Sequence, residues 1–121
     1  MDNNQLLIIA AAVVGLFLLI RGVKALTRIN PKKALALQES GASIVDVRQP
    51  SEYSSGHIKG AINIPLDSIS KITKKVDKSA DVIVYCLSGA RSGSAARQLK
   101  SMGYTKVHDL GSIGRWPYSK T

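Results

Sequence analysis

The strongest constraint on the fold is an uninterrupted apolar run at residues 6–20, LLIIAAAVVGLFLLI. A helix that is apolar on every side cannot lie half-buried on the surface of a small soluble domain. With its neighbours the run extends over residues 6–23, close to the roughly 20 residues that a bilayer-spanning helix requires. The sequence therefore predicts one transmembrane helix at residues 6–23.

A cleaved signal peptide is the main alternative for this segment. Signal peptides begin with basic residues and end with a small-residue cleavage site. Here residues 1–5 contain no Lys or Arg, and the small residues 10–12 lie inside the run. The basic residues follow it, and they are Arg21, Lys24, Arg28, Lys32 and Lys33. Because basic flanks favour the cytoplasm, we expect a single-pass membrane protein with its C-terminal domain on the cytoplasmic side.

These signals divide the 121-residue chain into four parts. The parts are a short N-terminal tail at residues 1–5, the transmembrane helix at residues 6–23, a basic juxtamembrane linker at residues 24–30 and one folded domain at residues 31–121. A chain of this length has room for one compact domain and little else.

The charge and the cysteine content of the chain limit the ligands and binding partners that it can have. Of the net charge of +9, +4 lies in residues 1–33. The remaining +5 is scattered over residues 34–121 and lacks the interleaved aromatic residues of a nucleic-acid platform, so we expect no nucleic-acid partner. The chain has one cysteine, Cys86, which excludes an internal disulfide and a multi-thiolate zinc site. With only His57 and His108 beside it, we expect no metal and no cofactor.

Beyond the linker, strand patterns alternate with helix patterns. Asn30 and Pro31 supply a helix cap and first turn. Helices are expected at residues 32–40, 51–55, 66–76 and 92–102, and strands at residues 43–47, 61–64, 81–86 and 106–110, with residues 27–30 as a candidate edge strand. This alternation predicts an α/β domain with a central, mostly parallel sheet and helices on both faces.

The chemically informative segment is VYCLSGARS at residues 84–92. It has the pattern of a buried strand, a tight loop and a helix start, where ligands bind in α/β sheets. Curled backbone amides and a helix N-terminus there stabilise an anion. Such a site biases a thiol toward thiolate, so Cys86 is the candidate nucleophile, although a lone cysteine is more often a core residue. Gly89 permits the turn and Arg91 directs a guanidinium at the anion. The small residues that keep the loop open are Ser88, Ala90 and Ser92.

Together these features resemble the rhodanese family of single-domain sulfurtransferases. The matching pieces are IVDVR at residues 44–48, EY at 52–53, GHIKGA at 56–61, NIP at 63–65 and the loop at 86–91 followed by Ser92. The resemblance extends from about residue 30 to 116 and implies a rhodanese-like α/β fold for residues 31–121.

Loop length separates sulfur chemistry from phosphate chemistry. Cys86 and Arg91 enclose four residues, whereas the related dual-specificity phosphatases enclose five and have a larger pocket. The shorter loop favours a sulfurtransferase over a phosphatase or arsenate reductase.

Two positions depart from the family pattern: Leu87, where many relatives have Arg or a polar residue, and Ser112, which replaces the second glycine of a Gly-Gly pair.

The resemblance implies a double-displacement cycle. The Cys86 thiolate takes the outer sulfur of a donor such as thiosulfate, and the amides of residues 87–91 hold the persulfide while Arg91 stabilises the loop and the donor. A thiol or cyanide then accepts the sulfur. Since Cys86 is the only cysteine, the acceptor must come from outside the chain, and a protein acceptor fits. A membrane-anchored persulfide carrier or binding module with little turnover of its own is the alternative function.

A supporting polar network is also implied by the resemblance. Its members are Asp46, Arg48, Glu52 and His57. Asp46 and Arg48 project the same way from their strand, and Glu52 is expected to pair with Arg48. His57 is expected to be structural rather than substrate-related, because a lone histidine is rarely catalytic without a placed partner. His108 is expected to be an ordinary surface or edge residue.

Overall fold

The computed structural model describes residues 2–25 and 28–121, apart from the side chains of residues 20–25. The chain begins with one long helix, α1 (Asn3–Ala25). The helical conformation expected at residues 6–23 is confirmed, and apolar side chains such as Leu7 and Ile8 are each 68% exposed. Within the described residues no helix has both the length and the apolar character needed to cross a membrane, so the predicted transmembrane span is not supported.

An α/β domain follows α1. Its elements in chain order are α2 (Pro31–Glu39), β1 (Ser43–Asp46), α3 (Pro50–Ser54), β2 (Ile62–Asn63), a 3₁₀ segment (Leu66–Lys74), β3 (Val82–Cys86), α4 (Ala90–Ser101), β4 (Val107–Ser112) and a 3₁₀ turn (Ile113–Arg115). The side chain of Asn30 caps α2 by accepting a hydrogen bond from the amide of Lys32 at 2.8 Å, as its sequence predicts.

Two local predictions are wrong. The segment expected to be an α-helix at residues 66–76 is a 3₁₀ segment that ends at Lys74, because its backbone leaves helical geometry at Ser68 and the amide of Ser68 bonds back to Pro65 instead. Residues 28–30 do not form an edge strand, although the amide of Ile29 donates to the carbonyl of Asp109 at 2.8 Å. Residue 27 lies outside the described residues.

The four strands form one parallel sheet in the order β2-β1-β3-β4, which confirms the predicted parallel α/β architecture. Because alternate side chains of a strand point to opposite faces, the sheet separates two cores. Val45, Val84 and their neighbours pack under α4 and the 3₁₀ segment, while Ile44 and Tyr85 pack with residues of α2 and with Trp116. Helices therefore cover both faces.

The pairing register brings the carboxyl ends of β1 and β3 side by side. Asp46 of β1 is the register partner of Tyr85, the residue before Cys86. Between β3 and β4 the register shifts after Val84, and Cys86 then pairs with Ser112. The residues expected to be functional thus gather at one edge of the sheet, where α/β proteins bind ligands.

Candidate active site

Cys86 is the last residue of β3, and its side chain is completely buried. Its sulfur is not left in a purely apolar environment. Sγ accepts a hydrogen bond from the amide of Gly89 at 3.0 Å and another from the amide of Ser92 at 3.3 Å. Two backbone donors that converge on one sulfur atom favour a negatively charged sulfur.

The loop that follows Cys86 turns sharply because Gly89 has a φ of +101°, a conformation that other residues rarely adopt. The side chain of Ser92 holds the turn by donating to the carbonyl of Gly89 at 3.1 Å. The expected amide donors were residues 87–91. Gly89 lies within that range, whereas Ser92 lies outside it, because the first turn of α4 brings its amide back over the sulfur.

The other loop residues form the outer rim. Leu87, Ser88 and Ala90 are exposed, and Leu87 retains 55% of its accessible surface. Ser112 supports this rim, because its hydroxyl donates to the carbonyl of Leu87 at 2.7 Å and accepts from the amide of Gly114 at 3.1 Å. Ser112 is therefore part of the scaffold of the loop.

Arg91 does not direct a free guanidinium at the sulfur. It forms a two-pronged ion pair with Glu52 of α3, with Nη1–Oε1 and Nη2–Oε2 distances of 2.6 and 2.9 Å. The hydrogen bond from Arg91 lowers the pKa of Glu52 to about 2, and the same bond raises the pKa of Arg91. The expected Glu52–Arg48 pair is thus wrong, because α3 places the carboxylate nearer to α4.

Arg48 pairs with Asp46 instead. The two side chains are almost completely buried, with Nη2–Oδ2 at 2.7 Å and Nε–Oδ1 at 3.0 Å. Arg48 also donates to the carbonyl of Gly56 at 2.7 Å, and its pKa is raised chiefly by the hydrogen bond to Asp46. The side-chain amide of Asn63, which was not expected in the polar network, donates to the carbonyls of Asp46 and Arg48 and so fixes the end of β1.

The two histidines have separate surroundings. The His57 ring stacks on Tyr53 at a centroid distance of 3.7 Å, and its Nδ1 lies 2.9 Å from the carbonyl of Tyr53. The backbone of His57 pairs with that of Thr121. His108 lies on β4, and its Nε2 is 2.8 Å from a carboxylate oxygen of Asp81. Among the described residues, no group of three His, Cys, Asp or Glu side chains is placed to hold a metal ion.

Similarity to known proteins shows the family of this chain. The model of the rhodanese-like domain matches residues 30–116, which is most of the chain. The chain belongs to the rhodanese family. Thiosulfate sulfurtransferase GlpE of Pseudomonas entomophila is 38% identical over 90 residues, covering 74% of this chain and 83% of the relative. Thiosulfate sulfurtransferase PspE of Escherichia coli is 44% identical over 71 residues, covering 57% of this chain and 68% of the relative.

Solved structures agree with this assignment. A rhodanese with anions from E. coli superposes with a TM-score of 0.63 at 38% identity, covering 67% of this chain and 98% of the other. The rhodanese-like fold expected from the sequence is therefore confirmed, and the protein is a transferase of the thiosulfate sulfurtransferase type. In this rhodanese domain the cysteine lies at the end of β3, near the N-terminus of α4.

Proposed function

We propose that this rhodanese domain moves sulfane sulfur from a donor such as thiosulfate to a thiol or cyanide acceptor through a persulfide on Cys86. The observation that carries the proposal is the pair of amide hydrogen bonds to Sγ, from Gly89 and Ser92. Donors arranged before the reaction stabilise anionic sulfur at no cost of reorganisation. The positive end of α4 acts in the same direction.

The cycle has two displacements. The Cys86 thiolate attacks the outer sulfur of thiosulfate, the S–S bond of the donor breaks, and sulfite leaves with the bonding electron pair. The acceptor nucleophile then attacks the outer sulfur of the persulfide, and the Cys86 thiolate is regenerated. Because the chain has no second cysteine, the acceptor in the second step comes from outside.

The surrounding residues serve as positioning groups in this proposal. The Glu52–Arg91 pair ties the first turn of α4 to α3 and so holds the Ser92 amide against the sulfur. The buried Asp46–Arg48 pair holds the neighbouring strand end. Small Ser88 and Ala90 on the exposed rim leave room for the donor. Since Arg91 is already paired with a carboxylate, its contribution to donor binding is weaker than its sequence position implies.

Mass spectrometry after incubation with thiosulfate tests the function. Wild-type protein is expected to gain one sulfur atom that a reductant removes, and Cys86→Ser is expected to gain none. Ser88→Ala, which leaves the cysteine and its amide donors in place, is the control and should load as wild type does. A wild-type protein that takes up no sulfur from thiosulfate or from several other sulfane donors would contradict the proposal.

A persulfide carrier with little turnover is the second candidate. It is favoured by Leu87, which presents an exposed apolar side chain at the rim, so this position supplies no positive charge for a small anionic donor. A carrier loads one sulfur per chain and releases it only to a specific partner. Steady-state thiocyanate production from thiosulfate and cyanide identifies the enzyme, whereas stoichiometric loading without continued turnover identifies the carrier.

We further propose that α1 holds the domain at a membrane, with the domain on the cytoplasmic side. The support is the exposure of its large apolar side chains, since contiguous apolar surface of this kind marks protein or membrane contact. Full-length protein is expected to resist carbonate extraction from membranes, and a reporter fused after Thr121 should be cytoplasmic. A Val14→Lys, Leu18→Lys variant should be released, and release of the wild type as well would contradict the proposal.

A further inference from the structure

Arg28 lies across the loop that surrounds the reactive sulfur. A Cβ atom built on Gly89 would lie 2.8 Å from Cζ and 3.2 Å from Nη1 of Arg28. A Cβ atom built on Gly111 would lie 3.0 Å from Cδ and 3.1 Å from Nε of the same side chain. The arginine therefore contacts the backbone of both glycines, and Gly89 is buried while Ser88 and Ala90 beside it are exposed.

This contact places the guanidinium close to Cys86. The amide of Gly89 is 3.0 Å from Sγ, and the bonds from that nitrogen to a Cβ position are each about 1.5 Å, so Cζ of Arg28 lies within about 9 Å of the sulfur. The backbone next to Arg28 is well anchored. Ile29 is 7% exposed, packs in the core with Leu110, and donates its amide to Asp109 at 2.8 Å.

The ion pairing of Arg28 differs from that of Arg48, which follows β1, and from that of Arg91, in the first turn of α4. Arg48 and Arg91 are each paired with a carboxylate. In the part of the chain that the structure describes, Arg28 has no carboxylate at ion-pair distance, and the loop itself contributes the uncharged Leu87. An unneutralised guanidinium against this loop attracts anions and offers a planar fork for their oxygen atoms.

We propose that Arg28 is a donor-binding residue, whose guanidinium attracts and orients the oxyanion end of a donor such as thiosulfate while the outer sulfur faces Cys86. The inference rests on the sulfur transfer proposed above and adds a specificity: dianionic donors are preferred. The positive charge of Arg28 comes from the segment after α1. It supplies the donor-binding charge that the uncharged Leu87 does not supply in the loop.

Steady-state kinetics of the full-length protein test the specificity. Arg28→Gln is expected to lower kcat/KM for thiosulfate about tenfold, mainly through KM, and to lower it less for methanethiosulfonate, which carries one charge. Arg28→Lys should retain part of the activity. Lys32→Gln is the control, because it removes the same charge from an exposed site in the first turn of α2. Equal kinetics for Arg28→Gln and Lys32→Gln would overturn the proposal.

Alkylation of Cys86 supplies a readout that does not depend on sulfur transfer. The ratio of the rates with anionic iodoacetate and neutral iodoacetamide is expected to fall about fivefold in Arg28→Gln, because the neutral reagent does not feel the lost charge. If wild type takes up no sulfur but this ratio falls, the function is wrong and Arg28 still binds anions. If wild type takes up sulfur but the ratio is unchanged, Arg28 is not the donor-binding residue.

Discussion

The carboxyl ends of β1 and β3 lie side by side in the sheet but are built in opposite ways. At the end of β1, opposite charges on Asp46 and Arg48 neutralise each other in a buried ion pair, and Asn63 satisfies the backbone around them. At the end of β3, two amides converge on the sulfur of Cys86. The first end is electrostatically complete, whereas the second directs two backbone N–H donors at a single sulfur atom.

This difference assigns separate roles to neighbouring residues. A buried carboxylate or guanidinium is costly when its partner is lost, so changes at the end of β1 are expected to lower stability. In the proposed cycle, the sulfur that accepts from the amides at the end of β3 forms and breaks bonds, so changes there are expected to lower the rate of sulfur transfer while the domain remains folded. Three substitutions test this division.

Arg48→Met is expected to have the largest effect on stability. It leaves the Asp46 carboxylate buried without its partner, which typically costs about 3–5 kcal/mol of the free energy of unfolding. Urea denaturation followed by circular dichroism measures the loss. Arg97→Met, at an exposed position of α4, is the control and should change the free energy by less than about 0.5 kcal/mol. Equal stability of the two variants would show that the β1 ion pair is dispensable.

Gly89→Ala should impair the chemistry more than the fold. Its φ of +101° costs a residue with a Cβ about 1–2 kcal/mol, and the added carbon meets Arg28. Displacing one of the amides on Sγ is expected to slow persulfide formation about 100-fold, measured by mass spectrometry against time. Gly93→Ala is the control, since an added Cβ there finds ordinary contacts at 3.6 Å or more. Wild-type loading by Gly89→Ala would show that the amides do not activate the sulfur.

Glu52→Gln breaks the ion pair that links α3 to α4, and the effect is expected to be the smallest because both side chains are about one-third exposed. The pKa of Glu52 is about 2 in the folded protein against 4.5 for the free group. The stabilisation is therefore complete above about pH 4.5 and is lost as the pH falls toward 2.

The melting temperatures of wild type and Glu52→Gln should thus differ at pH 7 and converge near pH 2. Glu39→Gln changes an exposed carboxylate at the end of α2 and controls for the overall loss of one negative charge. A difference between wild type and Glu52→Gln that is constant over this pH range would mean that the Arg91 pair does not stabilise the folded state.

Much of the scaffold was predictable because its signals are local. The apolar run of β3, the Asn30 cap and the glycines that end helices depend on residues within a few positions of one another. The 3₁₀ segment was mistaken for an α-helix because the spacing of its buried residues Ile69 and Ile72 suits either helix, and only the backbone at Ser68 separates them.

The site was only partly predictable for a related reason. Cys86, Gly89 and the start of α4 are neighbours in sequence, so the loop could be read directly. The ion-pair partner of Glu52 could not be predicted from the sequence, because Arg48 and Arg91 are both long basic side chains and Arg91 is 39 residues away. The amide of Ser92 and the contact of Arg28 with Gly89 and Gly111 likewise depend on how the elements meet.

The sequence by itself determined the alternation of strands and helices, the position of the single thiol at a strand end, and a loop with four residues between Cys86 and Arg91. Hydrophobic spacing and turn-forming glycines act over a few residues, so these features need no knowledge of the packed chain. The tertiary structure decided which charges pair and which one contacts the loop after Cys86. Long side chains reach several neighbours, and only the packing of α3, α4 and the segment after α1 selects among them.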